Sequence, residues 1–340
     1  MMTASPLTLE LQAKQRDDVL DILRGLTMFI VVLAHAMQHS LLPGEESILW
    51  MRFIRPFQMP ILFLISGWAM AFSFPPKSHA VFIRKKSERL LLPYLVWMLI
   101  FYMICITDGS NVFTFNNLWR EVIGSDFWFL RALFFNYLVI WIGVLVLEKW
   151  RIQSKWGPVI TVVLGLVAVL LIRKIDAFRP TANGWFYQWF LTGYLAHVFS
   201  DHYRDRVRAF MNRYKVRIGL ICGVLLITMA CLVYLWDISQ NLVAYVTIPC
   251  ICFVVIGFSR ILPPFISKLL SHWGAISLGI YAIHWCLFAK SASWFAKVVP
   301  NCPYVIRVLA LTAAWMLGCE ILIRIFKKTK VTRYFLLGER

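Results

Sequence analysis

The sequence predicts an all-α polytopic membrane protein, about ten transmembrane helices in one bundle. Three observations predict it. The 340-residue chain is 60% hydrophobic and only 15% charged, whereas a typical soluble chain is about a quarter charged. Apolar runs close to bilayer-spanning length, roughly 17–25 residues, recur from one end to the other. The lysines and arginines lie mostly between these runs and are unevenly shared between the two sides.

Taken in order, the expected spans are 19–38, 57–73, 90–107, 127–147, 157–172, 182–199, 217–236, 243–258, 272–290 and 303–324. The first follows the polar stretch "KQRDD" and contains "ILRGLTMFIVVLAHAMQ". No small-residue cleavage site follows it, so it reads as a retained helix and not as a signal peptide. The second, "FQMPILFLISGWAM", has Ser66 and Gly67 inside it, a small-residue site where another helix or a ligand can approach. The third rises from the basic loop "FIRKKSERLLLPY". The fourth opens on "SDFWFLRALFF", and the fifth is the uninterrupted run "GPVITVVLGLVAVLLI". The sixth carries "WFLTGYLAH", the seventh and eighth are plain apolar runs, and the ninth carries "AISLGIYAIHW". The tenth ends at a basic tail. Spans two, five and eight are the shortest.

With the N-terminus in the cytoplasm, the loops assigned to that side hold 23 Lys and Arg and those on the opposite side hold 8. This asymmetry places both termini in the cytoplasm and implies an even number of spans. The formal charge of +18 is then a topology signal and an affinity for anionic lipid. It does not read as nucleic-acid binding, because the basic residues lie in separate short loops. The organisation expected is a cytoplasmic segment over 1–18, a single membrane domain over 19–326 and a cytoplasmic tail over 327–340. The eight cysteines are scattered without metal-like pairs. No metal is expected, and no oligomeric state follows.

Ionisable residues inside a membrane are costly and mark function. Arg24 and His35 stand eleven positions apart. In a helix that spacing turns about 1,100°, three turns plus about 20°, and rises about 16 Å. The two residues therefore share a face, a guanidinium near one surface and an imidazole deep inside. That arrangement suits a long anionic substrate entering lengthwise, although a snorkelling arginine and a packing histidine would look the same. Arg84, Lys85, Lys86 and Arg89 cluster at the expected entrance of span three. Trp128 and Arg131 stand at the outer end of span four, where Arg131 needs an acceptor or an anion. Ser277, Tyr281 and His284, spaced i, i+4 and i+7, form a polar stripe on span nine. Ten helices with inward charges and a basic entrance also fit a transporter or flippase for an anionic solute. Against that reading, no pair of broken helices repeats between the halves.

These segments carry a resemblance. Arg24 and His35 match the arginine, ten residues, histidine pattern of the acyltransferase 3 family. "MPILFLISGW" resembles that family's "MPLFFxxSG" segment and "FIRKKSERLLLPY" its basic loop. "FWFLRAL", "WFLTGYLAH" and "ISLGIYAIHW" are similar to its "WFLxxL", "FxxGYL" and "SxxIYLxH" segments. The resemblance implies transfer of an acyl group, usually acetyl, from cytoplasmic acyl-coenzyme A to a hydroxyl of an extracytoplasmic or lipid-linked carbohydrate. Acetyl-coenzyme A is then a substrate, and no cofactor is permanently bound. Arg24 with Arg84, Lys85, Lys86 and Arg89 would hold the donor's phosphates. His35 would act as base or as acyl carrier. Ser66, Trp128, Arg131, Ser277, Tyr281 and His284 would line the site. His39 and the outer loops 39–56 and 108–126 are the nearest places for an acceptor. The implied location is a bacterial inner membrane.

Overall fold

The structure, a computed structural model, describes residues 6–42, 47, 49–72, 76, 78–124, 127–150, 157–172 and 184–340. The expected loop 173–181 lies outside them, as do parts of the expected loops 39–56, 74–89, 108–126 and 148–156. Among the described residues there are helices and no strands. They are α1 Pro6–His39, α2 Arg55–Ala71, α3 His79–Lys86, α4 Leu92–Thr107, α5 Phe115–Gly124, α6 Trp128–Lys149, α7 Gly157–Ile172 and α8 Gly184–His202. The chain continues through α9 Arg204–Leu235, α10 Gln240–Phe258, α11 Pro264–Ala275, α12 Ser277–Ile283, α13 Ala289–Val298, α14 Tyr304–Phe326 and α15 Lys330–Leu337. Wide π-helical turns at Leu49–Ile54, Ser87–Leu91 and His284–Phe288 lead into α2, α4 and α13.

Among the described residues, seven stretches are long and apolar enough to cross a bilayer: Asp18–His39, Leu49–Ala71, His79–Thr107, Trp128–Lys149, Arg204–Leu235, Gln240–Phe258 and Tyr304–Phe326. Val159–Leu171 and Ser277–Leu287 are apolar but shorter. The all-α polytopic fold class holds, and these seven qualify as candidate crossings by length and composition alone.

Two expected loops are helical. The segment read as a loop over 259–271 contains most of α11, which Pro264 opens at its first turn. Similarly, the outer loop 108–126 contains α5. The expected span nine is a path broken at Ile276, with a π-helical turn after Ile283.

The chain divides into two units. The first comprises Met1–Ile65, His202–Tyr281 and Ala289–Leu317. Here α1 and α11 meet through glycine. A Cβ added to Gly25 would stand 1.9 Å from the Leu270 carbonyl oxygen, and one added to Gly274 would stand 1.9 Å from that of Asp21. Residue numbers rise along one helix as they fall along the other, so the pair is locally antiparallel. Missing side chains let the backbones touch, the device membrane helices use when lipid removes the hydrophobic drive to associate. Phe29 and Trp273 stack beside this crossing with ring centroids 5.9 Å apart. Helices α9 and α10 pair in the same way, Gly257 lying against the Lys215 carbonyl. Met229, Val233 and Val243 make their buried core, against which Phe53 packs. Tyr304 at the start of α14 donates to the Met37 carbonyl at 2.9 Å, fixing the end of α1.

The second unit comprises Ser66–Asp201, Ala282–Phe288 and Gly318–Arg340. Gly67 presses on the Phe190 carbonyl, joining α2 to α8, and Gly143 admits Thr161, joining α6 to α7. Helix α5 folds back along α4. The Tyr102 hydroxyl lies 3.3 Å from the carbonyls of Val112 and Thr114 just before α5, and the Tyr94 hydroxyl donates to Val122 in its last turns. Eight residues on α4 thus match eight to ten on the returning chain. The end of α5 thus reaches the level of Tyr94, thirteen residues, about 20 Å, back along α4 from its end at Thr107. Trp97 donates to the Leu336 carbonyl, and Arg340 pairs with Glu88, so α15 is tied to the start of α4.

Candidate functional site

In the first unit α1 runs without a break from Pro6 to His39, so the spacing argument for Arg24 and His35 holds on a real helix. Gly25 marks the line covered by α11. Arg24 lies about 100° from it and His35 about 80°, on the same side. The shared stripe is therefore a quarter turn off the α11 contact. Both ends of the stripe are half-buried, while Thr27, Met28 and Val31 along its length are buried. Arg24 is not a bare cation: its Nη1 donates to Asp21 Oδ1 at 2.8 Å, one turn earlier. The i, i+3 spacing of Asp21 and Arg24 carried that signal in the sequence. His39 stands one turn beyond His35, ring centroids 6.2 Å apart. Ser277 and Tyr281 open α12 one residue after α11 ends, Ser277 half-buried and Tyr281 buried.

In the second unit the basic loop resolves into distinct roles. Arg84, Lys85 and Arg89 are exposed. Lys86 turns inward, its Nζ 3.7 Å from the centre of the Tyr137 ring. The Tyr137 hydroxyl donates to the Ser66 carbonyl at 3.3 Å. Tyr137 thus joins two residues that the sequence had placed in separate segments, and it was missed because its partners are remote in the chain. A second group stands further along α6, on the side of Tyr137 away from Arg131. His79 receives a hydrogen bond from Trp141 on Nδ1 at 3.1 Å and meets Glu148 through Nε2 at 2.9 Å. With Nδ1 accepting, the proton of the neutral ring is on Nε2, directed at the carboxylate. Lys86, His79 and Glu148 place α3 along α6 between Tyr137 and its last turn, at the end away from Arg131.

At the start of α6, Arg131 Nη1 donates to the Val122 carbonyl at 3.0 Å and lies 3.4 Å from the Tyr94 hydroxyl. Trp128, one turn earlier, has its ring 4.7 Å from that of Phe186. His284 belongs to this unit and is fully buried at the first residue of a π-helical turn. The α-helical face of the Ser277, Tyr281 and His284 stripe therefore ends at Ile283. The structure gathers the remaining sequence-predicted residues into three groups: the Arg24–His35 stripe, Ser66 with Lys86 around Tyr137, and Trp128 with Arg131 beneath α5.

The acyltransferase domain family matches residues 17–324 of this chain. Among curated proteins, nodulation protein NolL of Mesorhizobium japonicum (strain LMG 29417 / CECT 9101 / MAFF 303099) is 29% identical over 138 residues, 37% of this chain and 35% of the relative. Nodulation protein NolL of Sinorhizobium fredii (strain NBRC 101917 / NGR234) is 23% identical over 246 residues, 68% of this chain and 60% of the relative. The chain thus spans less than two thirds of either relative. No solved structure matches it.

Proposed function

Since the chain belongs to the acyltransferase domain family, we propose that it is a membrane O-acyltransferase that moves an acetyl group from cytoplasmic acyl-coenzyme A to a hydroxyl of an extracytoplasmic or lipid-linked carbohydrate. The observation that carries this reading is the unbroken α1, with Arg24 and His35 on one stripe about 16 Å apart. Coenzyme A is long, with phosphates at one end and a thioester at the other. Arg24 and the exposed Arg84, Lys85 and Arg89 supply charge-assisted donors of the kind phosphates take. Lys86, drawn onto the Tyr137 ring, acts more as a structural cation.

A sugar hydroxyl is a weak nucleophile until it loses its proton. In the direct path His35 takes that proton as the oxygen attacks the thioester carbon. The tetrahedral intermediate collapses, the carbon–sulfur bond breaks, and the imidazolium returns the proton to the departing sulfur. In the two-step path the neutral His35 attacks the thioester carbon, the carbon–sulfur bond breaks and coenzyme A leaves as the thiol, taking the imidazole's proton; the sugar hydroxyl then attacks the acyl-imidazole, its carbon–nitrogen bond breaks and the hydroxyl's proton returns to the freed imidazole. Both paths use the same residue at the same depth. Membrane insertion with both termini in the cytoplasm of a bacterial inner membrane puts Arg24 on the coenzyme A side. Polysaccharide modification in the cell envelope follows as the setting.

The test is slow thioester hydrolysis. The purified chain in lipid nanodiscs should release coenzyme A from acetyl-coenzyme A without acceptor, and His35→Ala should not. Donor binding without any hydrolysis or transfer, in folded wild-type protein, would overturn the reading.

A further inference from the structure

Arg131 presents an unused binding edge. Its Nη1 is taken by Val122 and faces Tyr94. Its Nε and Nη2 are closed off from solvent and have no hydrogen-bond partner among the described residues. These two nitrogens form the side-on edge of the guanidinium, whose parallel N–H groups match the two oxygens of a carboxylate or phosphate. A guanidinium cannot shed its proton to escape burial. Each unpartnered N–H in an apolar surrounding costs several kcal/mol. The site is also held rigidly. Tyr94 and Arg131 both reach the Val122 carbonyl in the last turns of α5, and the Tyr94 ring lies under the guanidinium at 5.8 Å. One turn before Arg131, Trp128 and Phe186 provide an aromatic wall.

The geometry points to an oxyanion site at Arg131, a carboxylate or phosphate held by the Nε and Nη2 edge at the end of α5. The ligand class that uses both the fork and the aromatic wall is an acidic sugar. A lipid phosphate presents the same oxygens. The site uses none of the residues assigned to coenzyme A, and binding there stands or falls independently of acyl transfer.

The experiment uses the full chain in phosphatidylcholine nanodiscs, with thermal unfolding followed against glucuronate, inorganic phosphate and glucose. Ligand binding raises the unfolding temperature by mass action. Glucuronate or phosphate should raise it saturably and glucose should not. Arg131→Gln retains a donor for the Val122 carbonyl but lacks the fork, so apparent affinity should fall at least tenfold. Arg131→Lys keeps the charge without the fork and should recover only part; it carries the comparison if the glutamine variant does not fold. If the occupant is lipid, phosphatidylglycerol discs should stabilise the wild type over the variants with no added anion, and free anions should then add nothing. Identical behaviour of wild type and variants in both lipids overturns the site. So does an unresponsive wild type in which Asp126→Asn, at the nearest acidic position in the sequence, is as damaging as Arg131→Gln.

Discussion

Replacing Gly25 by alanine puts a methyl group 1.9 Å from the Leu270 carbonyl oxygen. Ordinary contact begins at 3.4 Å, so α1 and α11 must part by about 1.5 Å, and both partners are backbone that no rotamer change can move. Overfilling a tight contact costs about 1–3 kcal/mol, and parting two packed faces by that distance forfeits much of their dispersion energy. A loss of about 2–3 kcal/mol is expected, or about 3–4 °C in unfolding temperature for a chain of this size. Gly274→Ala clashes with Asp21 across the same crossing and should cost about the same. A single separation relieves both clashes. The double variant should therefore fall little further than either single one, with a coupling of about 2 kcal/mol. Thermal unfolding in one detergent, read by loss of the monodisperse peak, measures all four proteins. Single variants within 1 °C of wild type, or a double variant losing the full sum, would refute the glycine-mediated crossing.

His35→Ala should abolish transfer while leaving the dissociation constant for coenzyme A within about twofold, because a base or nucleophile acts in the transition state. A histidine moved to Ala34 or Ala36, both fully buried, points about 100° away and should not rescue it; calorimetry with turnover assays separates these outcomes. Arg24→Ala should weaken coenzyme A binding about tenfold, one charge-assisted bond. Asp21→Asn should tighten it a few-fold at most, since the Asp21–Arg24 pair is part-exposed and worth roughly 0–1 kcal/mol; equal losses in both would show that the pair, not the free guanidinium, matters. Tyr137→Phe removes the bond to the Ser66 carbonyl but keeps the ring beneath Lys86, and should cost about 1 kcal/mol, whereas Tyr137→Leu should lose more. Cysteines at Ser78 and Ser110, on either side of the stretch His79–Thr107, should label from opposite faces of sealed vesicles.

Helices that cross as apolar runs were legible, because lipid demands composition before it demands partners. Asp18–His39, Trp128–Lys149 and Tyr304–Phe326 fall within a few residues of the expected spans. What composition concealed were helices that owe their place to packing. "FNNLWREVIG" reads as polar loop, yet Phe115, Leu118, Trp119 and Val122 recur at helical spacing, and two tyrosines on α4 accept its fold-back. "PFISKLLSHWGA" straddles the boundary between the expected loop 259–271 and the expected span nine, yet Pro264 to Ala275 form one helix packed on α1. The site was legible where one helix decides it, as with Arg24 and His35. It was illegible where remote segments meet, as with Lys86 on Tyr137 and Arg131 under Val122.

The fold-back of α5 has an electrical meaning. With Thr107 at the membrane surface and α4 along the normal, the end of α5 at Val122 would stand about 20 Å down, some two thirds of a hydrocarbon core about 30 Å thick. A full charge crossing 100 mV changes energy by about 2.3 kcal/mol, so a singly charged guest at Arg131 would feel about 1.5 kcal/mol of that drop. Occupancy would then move roughly tenfold per 100 mV, in a direction set by which way the chain is inserted. An energised membrane and a de-energised one would present the same protein with different affinities, and vesicles clamped by a potassium gradient are where that difference would be read.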